Sequence, residues 1–133
     1  MTLFDRLGGR AVLERLVTTF YQRAQADEVL GPVFARAVHD WPSHIETVTN
    51  FWSTQTGGPL LYRGGMGRHI RLGLQPEHFG SWLALWEQNA RSEVGPELAA
   101  DLMVIGRAFA ERLQQMARPP EPGPVGFRFA PER

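Results

Sequence analysis

Cysteine is absent from this chain of 133 residues, and so is lysine. Without cysteine there can be no disulfide, thiolate zinc site, iron–sulfur cluster or thiol nucleophile. Without lysine, Schiff-base catalysis and phosphate binding of the P-loop kind are excluded. All fourteen basic residues are arginine, and fourteen acidic residues match them. A net charge of zero argues against a nucleic-acid binder that relies on a broad basic footprint. Long apolar runs are also missing. No window approaches the roughly 18 uninterrupted apolar residues that suggest a membrane span. The opening MTLFDRLGGRAVL carries an acid and glycines early, not a basic segment followed by an apolar run. A signal peptide is therefore not expected, and a cytoplasmic protein is. The chain has no internal repeat, no HExxH pair of metal ligands, and no useful length of period-two alternation.

What is present is helical period. With 43% hydrophobic and 21% charged residues, the chain suits one globular domain with a real core. Residues 10–26 place Val12, Leu13, Leu16, Val17, Phe20, Tyr21 and Ala24 on one face, as the spacing of an amphipathic helix requires. A short helical piece is expected around 32–38, ahead of a turn at Asp40-Trp41-Pro42. A second long helix is expected over 42–56, with Ile45, Val48, Phe51 and Trp52 inward, stopped by Gly57-Gly58-Pro59. Pro76 and Pro96 each mark a helix start. The stripe after the first is Phe79, Trp82, Leu83, Trp86 and Ala90, reaching about residue 92. The stripe after the second is Leu98, Leu102, Ile105, Phe109, Leu113 and Met116. The fold class is all-α: four main helices and one irregular, glycine-rich connection. Residues 1–118 form the domain, and the proline-rich residues 119–133 an extended tail.

Four histidines offer candidate chemistry. His39 precedes a turn and His78 sits in a first helical turn, so solvated polar roles suit both. His44 shares a helical face with Val48, one turn on, where a histidine is more often a hydrogen-bonded core residue than a ligand. His69 lies in YRGGMGRHIRL, residues 62–72. Glycines there let the chain turn sharply or approach a ligand closely. From its residues alone that stretch could cradle a phosphate, offer a metal ligand, or be an ordinary loop. Tyr21 closes its stripe with a hydroxyl that needs a partner if buried.

The order and spacing of LFDRLGG (3–9), FYQRAQADEVLGPVF (20–34), HIETVTNFW (44–52), YRGGMGRHIRL (62–72) and HFGSWLALWEQ (78–88) resemble those of the truncated haemoglobins. These are shortened globins folded as a two-over-two helical sandwich around haem. The likeness covers roughly residues 3–117 and is greatest to the third group, where a histidine opens the distal helix and a Phe-Trp pair closes it. Here those residues are His44, Phe51 and Trp52. The opening LFDRLGG is more typical of the first two groups.

The resemblance implies haem b as cofactor and His69 as the proximal iron ligand. Neutral imidazole suits iron, and a single protein ligand leaves the sixth position open for a diatomic gas: dioxygen, nitric oxide or carbon monoxide. Tyr21, His44 and Trp82 match the polar distal positions, whose three donors would stabilise partial negative charge on bound dioxygen. Phe34, Val48, Phe51, Trp52, Leu72 and Ile105 match apolar haem contacts, with Met103 and Phe109 as further candidates. Arg68 and Arg71 flank the implied ligand and could pair with the haem propionates, as could Tyr62 and Arg63.

Three function classes follow. The first is a haem protein that binds dioxygen reversibly. The second is a haem enzyme running nitric oxide dioxygenation or peroxidase-like chemistry. It would need a separate reductase, since the chain carries no flavin or nicotinamide motif. The third is a cofactor-free helical interaction module.

Overall fold

The computed structural model describes residues 1–61 and 76–117. The segment 62–75, the expected haem-edge stretch with Tyr62, Arg63, Arg68, His69, Arg71 and Leu72, lies outside the described residues. So does the expected tail, 119–133. Among the described residues there are six helices and no strand, and the expected all-α two-over-two sandwich is the observed architecture.

Helix α1, Leu3–Leu7, is additional to the helices expected from hydrophobic period. Five residues are too few for a hydrophobic period, so its signal lies in its caps. The Asp5 N–H donates to Thr2 Oγ1 at 3.0 Å, and the Thr2 N–H donates to the Asp5 carboxylate at 3.3 Å. This reciprocal pair satisfies two otherwise orphaned donors. Gly8, at φ 111°, ends the helix in the left-handed region. The Phe4 N–H then donates to the Thr56 carbonyl at 2.9 Å, which ties α1 to the far end of a later helix.

Helix α2, Arg10–Ala26, buries Leu13, Leu16, Val17, Phe20, Tyr21 and Ala24, the expected stripe apart from half-buried Val12. Asp27 ends it and starts the next. Its carboxylate accepts from the N–H groups of Val29 and Leu30, both at 2.9 Å. Helix α3, Leu30–Ala37, consequently begins two residues before the expected position. At Gly31 the two helices nearly touch, because a Cβ there would lie 2.7 Å from the Gln25 carbonyl oxygen.

Helix α4, Trp41–Gln55, is capped by the Asp40 carboxylate, which accepts from the Ser43 N–H at 3.2 Å. Pro42 fits in the first turn, where its missing N–H costs nothing. Three hydroxyls on or just after α4 are buried yet satisfied. Thr49 donates to the Ile45 carbonyl at 2.7 Å, Ser53 to Pro59 at 3.0 Å, and Thr56 to Trp52 at 2.7 Å.

Helices α5, Pro76–Val94, and α6, Pro96–Ala117, form an antiparallel pair about Gly95, at φ 89°. Helix α2 packs on α3, α4 and α5, so the α2/α4 pair lies over the α5/α6 pair. Rings fill the join between them. Trp52 of α4 stacks on Trp86 of α5 with centroids 4.7 Å apart, and Trp82 continues that stack at 6.0 Å. Phe20 of α2 meets Trp82 and Trp86 edge-on at 5.9 and 5.2 Å. The fully buried Asn89 adds a directed link, donating to the Leu16 carbonyl at 2.9 Å. No helix among the described residues is long and apolar enough to cross a membrane.

Two glycines test this packing against each other. Gly31→Ala forces a methyl onto a backbone oxygen and should cost about 1–3 kcal/mol. Gly80 lies within helix α5 with nothing inside 4 Å of its Cβ position, so Gly80→Ala should be neutral or stabilising by up to about 1 kcal/mol. Thermal melting of both variants measures this, and equal shifts would contradict the close α2–α3 approach.

Candidate functional site

Consecutive residues on a helix are turned by about 100° from one another, and α2 uses this at Phe20 and Tyr21. Phe20 goes into the tryptophan stack, while Tyr21 enters a separate ring cluster. Tyr21 meets the imidazole of His44 at 4.9 Å and 74°, Phe34 at 5.4 Å and Trp41 at 5.4 Å. Trp41 in turn meets His44 edge-on at 5.7 Å. Helices α2, α3 and α4 thus each contribute a wall, and a phenol and an imidazole supply its polar groups.

Tyr21 is only 4% exposed. Burial pushes its pKa above the ordinary 10.0, because the phenolate would lose its hydration. The hydroxyl therefore keeps its proton, and with it the ability to donate, at any physiological pH. His44 is half-buried, one turn from buried Val48, as its helical position implied.

The structure brings Tyr21, His44 and Phe34 together. Trp82 is half-buried and has its ring contacts with Phe20, Trp86 and Phe109. It adjoins the Tyr21 cluster through Phe20, which lies 5.0 Å from Tyr21. Val48, Phe51 and Trp52 are buried core residues, and Ile105 packs partly buried against them. Phe51 meets Phe109 at 4.5 Å, and Met103 is buried nearby in the same core. His39 is exposed, as expected of a solvated residue, and His78 is half-buried in the first turn of α5. No group of three or more potential metal-ligating side chains occurs among the described residues. Tyr21 and His44 thus place a phenol and an imidazole within a largely aromatic wall.

Trp41, expected in a turn, belongs to the helix and to this cluster. It is the first residue of α4, three positions before His44, so the two share a face. That spacing was the available signal. The triple tryptophan stack had a signal for one half only, since Trp82 and Trp86 are four residues apart while Trp52 comes from another helix.

Known proteins share this fold. Residues 2–111 match the model of a family described as bacterial-like globin. The group 3 truncated hemoglobin ctb of Campylobacter jejuni subsp. jejuni is 27% identical over 110 residues, spanning 78% of this chain and 87% of that protein. The group 1 truncated hemoglobin GlbN of Nostoc commune is 34% identical over 80 residues, or 59% of this chain and 66% of that one. Among solved structures, the group III truncated hemoglobin from Campylobacter jejuni matches with a TM-score of 0.75 at 27% identity, covering 83% of this chain and 91% of its own. The group II truncated hemoglobin from Bacillus anthracis matches with a TM-score of 0.74 at 26% identity, covering 85% and 95%.

The raised pKa of Tyr21 has a consequence for stability at alkaline pH. The folded state resists ionisation of a phenol that the unfolded chain releases at 10.0. Its contribution is intact below pH 10 and declines above it, by about 1.4 kcal/mol per pH unit. With no lysine in the chain, few other groups titrate there. Denaturant melts between pH 9 and 11.5 should show this fall, and Tyr21→Phe should flatten it. An unchanged slope in the variant would mean that Tyr21 ionises freely.

Proposed function

The chain belongs to the bacterial-like globin family, which makes it a haem-binding globin, and we propose that it binds dioxygen or a related diatomic gas at an iron held by His69. The observation that carries this reading is the pairing of a buried phenol and an imidazole 4.9 Å apart within an aromatic wall. The donor set suits the open side of a haem. A phenol held neutral by burial can only offer its proton or a lone pair, and a carbon-rich surround excludes competing water. The cofactor in this reading is haem b, held without a covalent bond. When bound, its iron supplies the electron density that a diatomic ligand needs in order to carry partial negative charge.

The protein's part is to position donors. Tyr21 Oη, a ring nitrogen of His44 and the indole N–H of Trp82 are the three groups assigned to the ligand. Tyr21 is the best fixed, because rings from α3 and α4 hold it on several sides. His44 sits near the start of α4 and is half-buried, so it can turn towards solvent and govern entry of the gas. Phe34, Val48, Phe51 and Ile105 give the haem faces apolar contact, and Trp52 backs them from the stack. Arg68 and Arg71 would pair with the propionates, as would Tyr62 and Arg63. His69 and these edge residues lie beyond the described segments and enter through the family likeness.

Purified protein supplied with haem should show an intense absorption band at about 400 nm, and His69→Ala should lose or weaken it. Acidified organic solvent should extract the haem unmodified. Tyr21→Phe should speed dioxygen release by about two- to tenfold, the equivalent of one hydrogen bond. Stopped-flow or flash photolysis gives these rates. Unchanged rates in both Tyr21→Phe and Trp82→Phe would remove the polar-pocket mechanism. Equal haem affinity in wild type and His69→Ala would remove the proposed ligand.

A further inference from the structure

We propose that the groove between α2 and α4 is a second binding site, for a free α-amino acid with an apolar side chain, and that its occupancy alters gas affinity. The site itself stands apart from the haem reading above. Only its effect on the gas rests on that reading.

The groove is the first support. Its volume is about 660 Å³, within the roughly 300–1,000 Å³ of small-molecule sites. Arg10, Ala11 and Glu14 line it from α2, and Pro42, Ile45 and Glu46 from α4. None of these residues has a part in the haem reading.

The second support is that its charges are held apart. Arg15, also on the groove, is engaged with Glu93 of α5 at 3.1 Å. Glu14 stands one turn after Arg10, a spacing at which opposite charges commonly meet on a helix. Yet Arg10, Glu14 and Glu46 form no ion pair among the described residues. Arg10 is half-buried, and its Nη1 is buried without a hydrogen-bond partner among the described residues. A buried cationic donor left unpaired is costly. The helix does not offset it, because Arg10 is the first residue of α2, at the positive end of the helix dipole. Glu14 and Glu46 are exposed. The groove thus has a cationic floor and an anionic rim.

That order of groups selects the ligand. A carboxylate on Arg10 Nη1 forms a charge-assisted hydrogen bond. A simple anion seated there would face the carboxylates of Glu14 and Glu46, whereas an ammonium on the same small molecule attracts them. An α-amino acid carries both charges on one carbon. Ala11, Pro42 and Ile45 then offer apolar contact to its side chain.

The same two helices carry the distal donors. Thr18, on the groove, lies three residues before Tyr21 on α2, and Ile45 follows His44 on α4. A ligand seated between the helices biases their separation, and with it the 4.9 Å spacing of Tyr21 and His44. Gas and amino acid thereby share one coupling free energy, equal in both directions.

The test uses full-length protein loaded with haem, titrated with L-leucine and followed by amide chemical shifts. Saturable shifts centred on Ala11, Thr18 and Glu46 are expected. Isocaproate lacks the ammonium and isoamylamine lacks the carboxylate, so each should bind about tenfold more weakly. Arg10→Gln and Glu46→Gln should each weaken L-leucine by about tenfold, the equivalent of one charge-assisted contact. Glu46 is exposed, so its variant carries the test if Arg10→Gln fails to fold. No saturation within the solubility of L-leucine overturns the site, as does binding unaltered in both variants. Isocaproate binding as tightly as L-leucine overturns the assignment to a zwitterion. Saturating L-leucine should change the dioxygen dissociation constant by about fivefold, and an unchanged constant overturns the effect on gas. Protein that takes up no haem overturns the haem reading, while L-leucine titration of that same protein still decides the groove.

Discussion

Aromatic rings join one helix pair to the other: α2 packs on α5, and Trp52 of α4 stacks on Trp86 of α5. The two rings come from α4 and α5, lie 4.7 Å apart and are both fully buried. Phe20 of α2 closes against the same group from the side. An aromatic pair of this kind adds about 0.5–1.5 kcal/mol beyond its burial, and truncating one such ring to alanine costs about 3–5 kcal/mol. The surface ion pairs Arg6–Asp101 and Arg15–Glu93, each at 3.1 Å, are exposed enough to contribute about 0–1 kcal/mol each. Packing of rings, not pairing of charges, is therefore the larger contribution at this join.

The same helix carries a second ring contact at its other end. With Trp52 anchored, the start of the helix brings Trp41 and His44 against Tyr21. Phe20 and Tyr21 are neighbours in the chain, yet one stabilises the join and the other furnishes one of the two polar groups of the candidate site. A change at Phe20 would move Tyr21 with it. Burial in this wall penalises the phenolate and so raises the pKa of Tyr21, which keeps it a donor.

Asn89 adds a directed polar link to the join, although its own Oδ1 is buried without a hydrogen-bond partner among the described residues. Its amide donates to the Leu16 carbonyl, so a buried side chain from α5 finds its partner on the backbone of α2. Asp27 works more locally, closing α2 and opening α3 through a single carboxylate. Such contacts fix positions along an interface that apolar packing alone would leave free to slide.

Helix type and approximate extent were legible in the sequence, because a buried face repeats every 3.6 residues and caps announce its ends. The stripes of α2, α4, α5 and α6 are visible in that way, and His44 could be placed one turn from Val48 without coordinates. Helix α1 was not legible by period, since one and a half turns contain no repeat; only its Thr2–Asp5 box marks it. The order of the motifs also carried the family. What the sequence could not decide is which faces meet. Trp41 joining Tyr21, Trp52 lying flat on Trp86, and Asn89 reaching Leu16 all join residues distant in the chain. No local spacing encodes such contacts, because they exist only once the two helix pairs have packed and chosen their crossing.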